Sequence, residues 1–175
     1  MPTFIRLASM ALACSVPVFA HHAPNSFVRL EFRAQSVRAE VMVPQSELVF
    51  AMNTGAADRE DTDGAVFAAA LPAYLLRHVG AVTAQGRAWA VSVANVQATA
   101  YLDQPYFTAV LELVPPAGAS TRDFIFTDDA ITHEIRNHLV FVVAVRDYAD
   151  AALAAAPQML GALQYPARAL SIHRP

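Results

Sequence analysis

Strict alternation of apolar and polar side chains near the start of the chain restricts its fold more than any other feature. Val28, Leu30 and Phe32 occupy every second position and are separated by charged residues. After a short polar break, the same period returns over residues 37–43, and Pro44 closes it. A period of two places alternate side chains on opposite faces of a strand, so both segments predict half-buried strands. Because few residues separate them, we expect an antiparallel hairpin with its apolar side chains turned inward.

The later part of the chain repeats the strand pattern, with one helical interruption. Residues 65–79 carry large apolar side chains at every fourth position, which is typical of one face of a helix, with Pro72 inside and Gly80 as the expected stop. Pro72 predicts a kink or two short helices. Further strands are predicted over residues 87–100 (with a bulge near Asn95), 107–114, 124–127, 138–146 and 170–172.

These patterns together predict a mainly β protein. The run 138–146 is almost wholly apolar, as expected for a central strand covered on both faces. Short strands separated by proline and glycine turns are typical of sandwiches. We therefore expect an immunoglobulin-like β-sandwich of about seven or eight strands, with one helical insertion at about residues 64–79.

The first 20 residues have the composition of an export signal, with a charged start, an apolar stretch and small residues before a cleavage point. Cleavage after Ala20 predicts a single exported domain over residues 21–175, in the periplasm or secreted, with His21 as its first residue. A lipoprotein route through Cys14 is the less favoured alternative, because alanine stands where leucine is expected three places before that cysteine.

Composition and motifs exclude several classes of function. The chain has 12 basic side chains, all arginine, against 15 acidic ones, for a formal net charge of −3. Without a basic cluster, nucleic acid is not expected as a partner. The single cysteine, Cys14, lies in the predicted leader, so no disulfide is expected after export. The sequence lacks a Gly-x-Ser-x-Gly elbow, a dinucleotide-binding loop and a Walker loop, so we predict neither an enzyme nor a small-molecule substrate.

Histidines are the strongest functional candidates in this chain, which contains 6 of them. Cleavage after Ala20 gives His21 a free α-amine beside its imidazole, and these two groups can chelate one metal ion. His22 takes that place if the first residue is shifted by one. His133 is the best internal partner, because it shares strand parity with its isoleucine neighbours, and Glu134 or Asp129 would supply an oxygen ligand or an outer hydrogen bond.

A second imidazole, from His133 or His138, would complete a three-nitrogen site that suits Cu(II) and, less exclusively, Ni(II) or Zn(II). His78 lies near the predicted helix end, where a favourable C-terminal charge explains it. In the alternative interpretation the internal histidines are hydrogen-bonded structural residues. The predicted metal ligands are His21, His133, His138, Glu134 and His22.

Segments spread over most of the chain together resemble one known family; they are residues 22–26, 37–48, 75–79, 86–89, 115–120, 129–138, 145–147 and 157–161. The run 129–138, with the sequence DAITHEIRNH, is the most telling. This combination resembles the exported N-terminal domain of HupE/UreJ-type membrane proteins. That bacterial group is classed with hydrogenase and urease accessory factors and with nickel/cobalt permeases.

The resemblance implies a domain that binds or handles a transition metal (copper, nickel or cobalt) beside a membrane protein. Family members continue into several transmembrane helices, whereas no sufficiently long apolar window follows the predicted leader here. We therefore expect a non-enzymatic accessory domain that works with a separate HupE/UreJ-like membrane partner. The main alternative is a protein–protein interaction module with structural histidines, and a secreted copper monooxygenase is a third hypothesis.

Overall fold

The computed structural model describes residues 24–52, 64–148 and 157–174, and within these ranges the chain is mainly β. The predicted leader, His21, His22 and residues 53–63 lie outside the described residues. Neither helix in the described ranges is long and apolar enough to cross a membrane. The elements are β1 (Ser26–Phe32), β2 (Val37–Pro44), α1 (Gln45–Ala51), α2 (Gly64–His78), β3 (Val79–Val82), β4 (Ala90–Tyr101), β5 (Gln104–Val114), β6 (Asp123–Asp128), β7 (Val140–Asp147), β8 (Gln158–Leu163) and β9 (Ala169–His173).

The larger sheet holds six strands in the order β4-β5-β2-β1-β7-β8. The predicted hairpin is confirmed, since β1 and β2 pair antiparallel with Phe32 opposite Val37. The predicted bulge is also confirmed, because the register between β4 and β5 shifts between Val93 and Asn95. β1 and β7 run parallel, which makes the sheet mixed and places the starts of both strands at the same end.

The smaller sheet has three antiparallel strands in the order β3-β6-β9, and the core lies between the two sheets. Phe124 of β6 contacts the larger sheet, with its ring centroid 6.4 Å from that of Phe32 on β1. The Trp89 ring lies 4.5 Å from Phe124 and closes the same region of the core. Each buried aromatic side chain contributes about 1.5–3 kcal/mol through removal of apolar area from water. The inward side chains of β1 and β2 therefore form one face of the larger sheet, which packs against the smaller sheet in a sandwich-like core.

Several details differ from the sequence-based expectation. Gly80 does not stop α2, because the helix ends at His78 and the chain enters β3 directly to pair with β6. A Cβ at Gly80 would lie 3.2 Å from Oγ1 of Thr127 on β6, so a small residue suits this close pairing. Helix α2 continues through Pro72 as one element, so the alternative of two short helices is wrong, while the alternative of a kink stays a prediction. With the unpredicted β3 and β8, the described residues form nine strands rather than seven or eight.

Strand β7 also departs from expectation, because it is not covered equally on both faces. Val140, Val142 and Ala144 are buried, but the residues between them are only half-buried. The run is apolar throughout, so its sequence does not reveal which face packs against the second sheet.

Candidate metal centre

Two histidines and one aspartate come together where α2 and β6 end. His78, Asp129 and His133 each place one metal-ligating atom within 4.8 Å of the others. All three side chains are partly buried, at about one-fifth exposure. Imidazole nitrogens and a carboxylate oxygen are ligands that first-row transition metals accept, so this cluster is a candidate metal centre.

Strand pairing brings the first two residues of the centre together. β3 follows α2 without a loop and pairs with β6 so that Val79 is opposite Asp128. His78 and Asp129 are therefore the next pair outward, and the N–H of Asp129 donates to the carbonyl of His78 over 3.2 Å. The sequence separation of these two residues is 51, so their contact depends wholly on this pairing.

A tight turn after β6 returns His133 to Asp129. Oδ1 of Asp128 accepts the N–H of Ala130 over 3.0 Å, which starts the turn. The N–H of His133 then donates to the carbonyl of Asp129 over 3.3 Å. This four-residue return places the His133 ring on the His78 ring, with centroids 4.4 Å apart and planes inclined by 21°.

Asp129 accepts a hydrogen bond from each of the two imidazoles. Nδ1 of His78 lies 2.8 Å from Oδ1 of Asp129, and Nδ1 of His133 lies 2.7 Å from the Asp129 backbone oxygen. Arg168 donates to the second carboxylate oxygen of Asp129 over 2.9 Å. Asp129 thus orients both imidazole rings, and Arg168, between β8 and β9, orients the Asp129 carboxylate.

Tyr74, one turn before His78 on α2, forms the wall of the centre. Its ring centroid lies 4.4 Å from that of His78, and its hydroxyl donates to the backbone oxygen of Ala130. Burial raises the pKa of the Tyr74 hydroxyl. Because this hydroxyl is already hydrogen-bonded and stays protonated, it orients the centre rather than acting as a ligand.

Asp128, next to the centre, is fully enclosed. Burial raises the pKa of its carboxyl to about 7, against the opposing hydrogen bond from the Ala130 N–H. Within the described part of the chain, Oδ2 of Asp128 and Oγ1 of Thr132 are buried without hydrogen-bond partners. The turn that carries His133 therefore contains two buried polar atoms that lack a hydrogen-bond partner in the described residues.

Glu134, a predicted ligand, lies at the solvent side of the centre. Its Oε1 is 3.9 Å from Nε2 of His133, and about half of its side chain is exposed. Glu134 is not one of the three residues whose ligand atoms lie within 4.8 Å of one another, so its role as a ligand stays a prediction.

His138, also a predicted ligand, occupies a different environment. Its Nε2 accepts the N–H of Ser26 over 3.1 Å and lies 2.8 Å from the Ser26 hydroxyl. Its Nδ1 contacts Oε2 of Glu47 on α1. The side chain is fully buried, and both ring nitrogens are engaged, so in this structure His138 joins β1, α1 and the entry to β7 and is not part of the cluster.

His78 is the member of the centre that sequence reasoning missed as a ligand. Its position at a helix C-terminus offers an ordinary explanation, and only the pairing of β3 with β6 reveals its other role. The remaining internal histidine, His173, is exposed and pairs with Asp123 over 2.8 Å. His21 and His22 lie outside the described residues, so their predicted role stays a prediction.

No protein-family model matches the chain, and no curated protein is significantly similar to it. The resemblance to HupE/UreJ-type proteins therefore stays a prediction, and the candidate centre stands on its own geometry.

Proposed function

We propose that this protein is an extracytoplasmic accessory domain that binds a transition-metal ion, Cu(II) or Ni(II) before Co(II), at the centre formed by His78, Asp129 and His133. The proposal is carried by one observation: two imidazoles and a carboxylate place ligand atoms within 4.8 Å of one another in a partly open site. Mixed nitrogen and oxygen donors suit these ions, and Cu(II) has the highest affinity among the divalent ions of this series. Partial exposure gives the ion an entry path, which fits an exchangeable ion better than a structural one.

The direction of β1 supports a further contribution from the predicted N-terminal histidine. β1 runs parallel to β7, with Ser26 opposite Val140, so β1 begins at the end of the sheet where residues 129–139 also lie. His21 and Ser26 are five positions apart in the sequence, and an extended segment of that length reaches about 17 Å. In this proposal the α-amine and imidazole of His21 add to the internal ligands when export cleaves the chain after Ala20.

The proposed partner is a HupE/UreJ-like membrane protein, to which the domain supplies or from which it receives the metal ion. The sequence resemblance over residues 129–138 is the support for this partner, and two of the three residues of the candidate centre, Asp129 and His133, lie in the same run. An immunoglobulin-like topology for the two-sheet sandwich is part of the same proposal.

Titration calorimetry tests the proposed binding. The exported, processed protein is titrated with Cu(II) and with Ni(II), after its intact mass has fixed which residue comes first. We expect stoichiometric binding that the double variant His78→Ala, His133→Ala loses. The matched control is His173→Ala, because His173 is exposed and lies in β9, and this variant keeps full affinity. Equal affinity in the double variant and the control would overturn the proposal.

A structural role for the same residues is the second candidate. Asp129 links His78 at the end of α2 to Arg168 before β9, and such a network can join elements without any metal. In that case the protein is an interaction module, neither ion binds, and the double variant unfolds at a lower temperature than the wild-type protein.

A further inference from the structure

We propose that a cleft where β1 and β7 end binds the carboxylate of a small organic acid that has an apolar body. The cleft lies apart from the candidate metal centre, because Arg122 precedes β6 and Asp129 follows it. These two residues are seven positions apart, which an extended strand spans over about 23 Å. The proposal therefore does not depend on metal binding.

The cleft forms where the ends of two parallel strands meet the segment before β6. Phe32 pairs with Asp147, so β1 and β7 end on the same side of the larger sheet. The N–H of Tyr148 donates to the carbonyl of Phe32 over 3.0 Å, and the hydroxyl of Thr121 donates to the carbonyl of Arg33 over 3.0 Å. The volume of the cleft is about 220 Å³. Sites for drug-sized ligands usually have about 300–1,000 Å³, so this one suits a smaller molecule.

Two guanidinium groups and an apolar wall line the cleft. The guanidinium groups belong to Arg33 and Arg122, and Phe32, Ala34 and Tyr148 supply most of the apolar surface. A guanidinium offers a planar fork of N–H donors that matches the two oxygens of a carboxylate. Aromatic rings contact the apolar part of a ligand favourably. The lining thus suits a carboxylate on an apolar body better than a wholly polar anion such as phosphate.

Buried Asp147 fixes the Arg122 guanidinium in the wall of the cleft. Nη1 and Nη2 of Arg122 lie 3.2 and 2.7 Å from the two carboxylate oxygens of Asp147, whose side chain is only 1% exposed. Arg174, just after β9, donates to the same carboxylate over 3.2 Å. Two arginines therefore offset the charge of Asp147, which would otherwise repel an anion. A guanidinium held in this way loses little conformational freedom when a ligand binds.

Arg33, in contrast, is held loosely. Its Nη1 lies 3.5 Å from each carboxylate oxygen of Glu112, and its Nη2 lies 3.6 Å from Oε2 of Glu31. These distances are at or beyond the limit of a hydrogen bond, and the side chain is 40% exposed. Exposed ion pairs of this kind contribute little stability. Arg33 can therefore turn its N–H donors to a ligand carboxylate at little cost.

The charged contacts around the cleft include two further arginines. Nη1 of Arg38 lies 3.3 Å from Oε1 of Glu31, and the guanidinium carbon of Arg146 lies 5.7 Å from the ring centroid of Tyr148. With the three arginines already described, five cationic side chains are linked here to three carboxylates, although the whole chain has a formal net charge of −3. A local excess of positive charge favours an anionic ligand over a neutral one.

Nuclear magnetic resonance titration tests the proposal with benzoate as the probe. The processed, ¹⁵N-labelled protein is titrated at constant ionic strength with benzoate, with benzamide as an uncharged molecule of the same shape, and with inorganic phosphate as an anion without an apolar body. We expect saturable binding of benzoate that shifts the side-chain Nε–H signals of Arg33 and Arg122. Benzoate should bind at least about tenfold more tightly than either comparison molecule. Benzamide or phosphate binding as tightly as benzoate, or no saturable benzoate binding, would refute the proposal.

A pair of arginine variants tests the assigned residues. Arg33→Gln removes the loosely held guanidinium, leaves the contact between Arg122 and Asp147 in place, and should weaken benzoate binding by about tenfold. Arg29→Gln is the matched control, because Arg29 lies in β1, pairs with Glu40 over 2.9 Å and does not line the cleft. It removes the same charge and should leave benzoate affinity within about twofold of wild type. Equal losses in the two variants would show that only the net charge matters and would contradict the assigned site.

Discussion

The His78–Asp129–His133 centre and the His138–Ser26–Glu47 network use histidine in opposite ways, although His133 and His138 are only five positions apart in the sequence. Nδ1 of His133 is hydrogen-bonded to the backbone oxygen of Asp129, and its Nε2 faces the half-exposed side chain of Glu134. In His138, which is fully buried, Nε2 contacts Ser26 and Nδ1 contacts Glu47. A histidine five residues from another can thus be a candidate ligand or a structural link, and the engagement of its second nitrogen decides which.

The same comparison explains why the two regions tolerate different changes. In the His138 network, Ser26 N–H donates to Nε2, so Nδ1 carries the hydrogen that faces Glu47. Within the described residues, neither Nδ1 of His138 nor Oε2 of Glu47 has another hydrogen-bond partner. Removing either side therefore leaves a buried polar or charged group unpaired. In the candidate centre both rings are partly exposed, so groups left behind by the loss of one ring can be hydrated.

The largest expected effect is the loss of stability in His138→Ala. This change leaves Glu47 without its partner in a buried site and removes one of the two acceptors of the Ser26 N–H, which keeps the Leu139 oxygen; it should lower the free energy of unfolding by about 3 kcal/mol. Urea unfolding followed by circular dichroism measures this change. Cu(II) affinity should stay within about threefold of wild type while the variant is folded. A strong loss of metal binding in folded His138→Ala would show that His138 is not purely structural and would contradict the difference between the two regions.

The second effect is that of His133→Ala, which should weaken metal binding strongly and change stability little. Losing a ligand should weaken Cu(II) binding by roughly 100-fold or more, beyond the loss expected for an outer hydrogen bond. Stability should change by only about 1 kcal/mol or less, because the side chain is partly exposed and gives up a single hydrogen bond. Calorimetry and urea unfolding on the same preparation give both values. A variant that binds Cu(II) normally and unfolds easily would make His133 another structural histidine.

Much of the sandwich could be predicted from the sequence because half-buried strands carry their own period. The alternation over residues 28–32 and 37–43 predicts the buried face correctly, and the change of period at residues 65–79 predicts the position of α2. Local pattern fails where a strand is short or apolar on both sides, as β3 and β7 show. A four-residue strand has too few positions to display a period, and a fully apolar one has no contrast.

The candidate centre was only partly predictable, for a different physical reason. The sequence predicts His133 as a ligand from strand parity, which is the wrong reason, because residues 129–139 form turns rather than a strand. It also predicts Glu134 or Asp129 as an oxygen ligand or an outer hydrogen-bond partner. His78 joins them through the register of β3 on β6, a contact between residues far apart in the chain. Long-range strand pairing depends on the whole fold, so the sequence around His78 does not indicate that this residue lies next to Asp129.

The smallest effect worth measuring is that of Ser26→Ala. It removes the hydroxyl at 2.8 Å from Nε2 of His138 but keeps the backbone N–H that donates to the same nitrogen. The free energy of unfolding should fall by about 1 kcal/mol, a third of the effect of His138→Ala, because the ring keeps its tautomer and its contact with Glu47. The exposed serine of α1, in Ser46→Ala, is the matched control and should change stability by less than about 0.5 kcal/mol. If Ser26→Ala cost as much as His138→Ala, the hydroxyl rather than the backbone N–H would hold the ring, and the tautomer assigned to His138 would need revision.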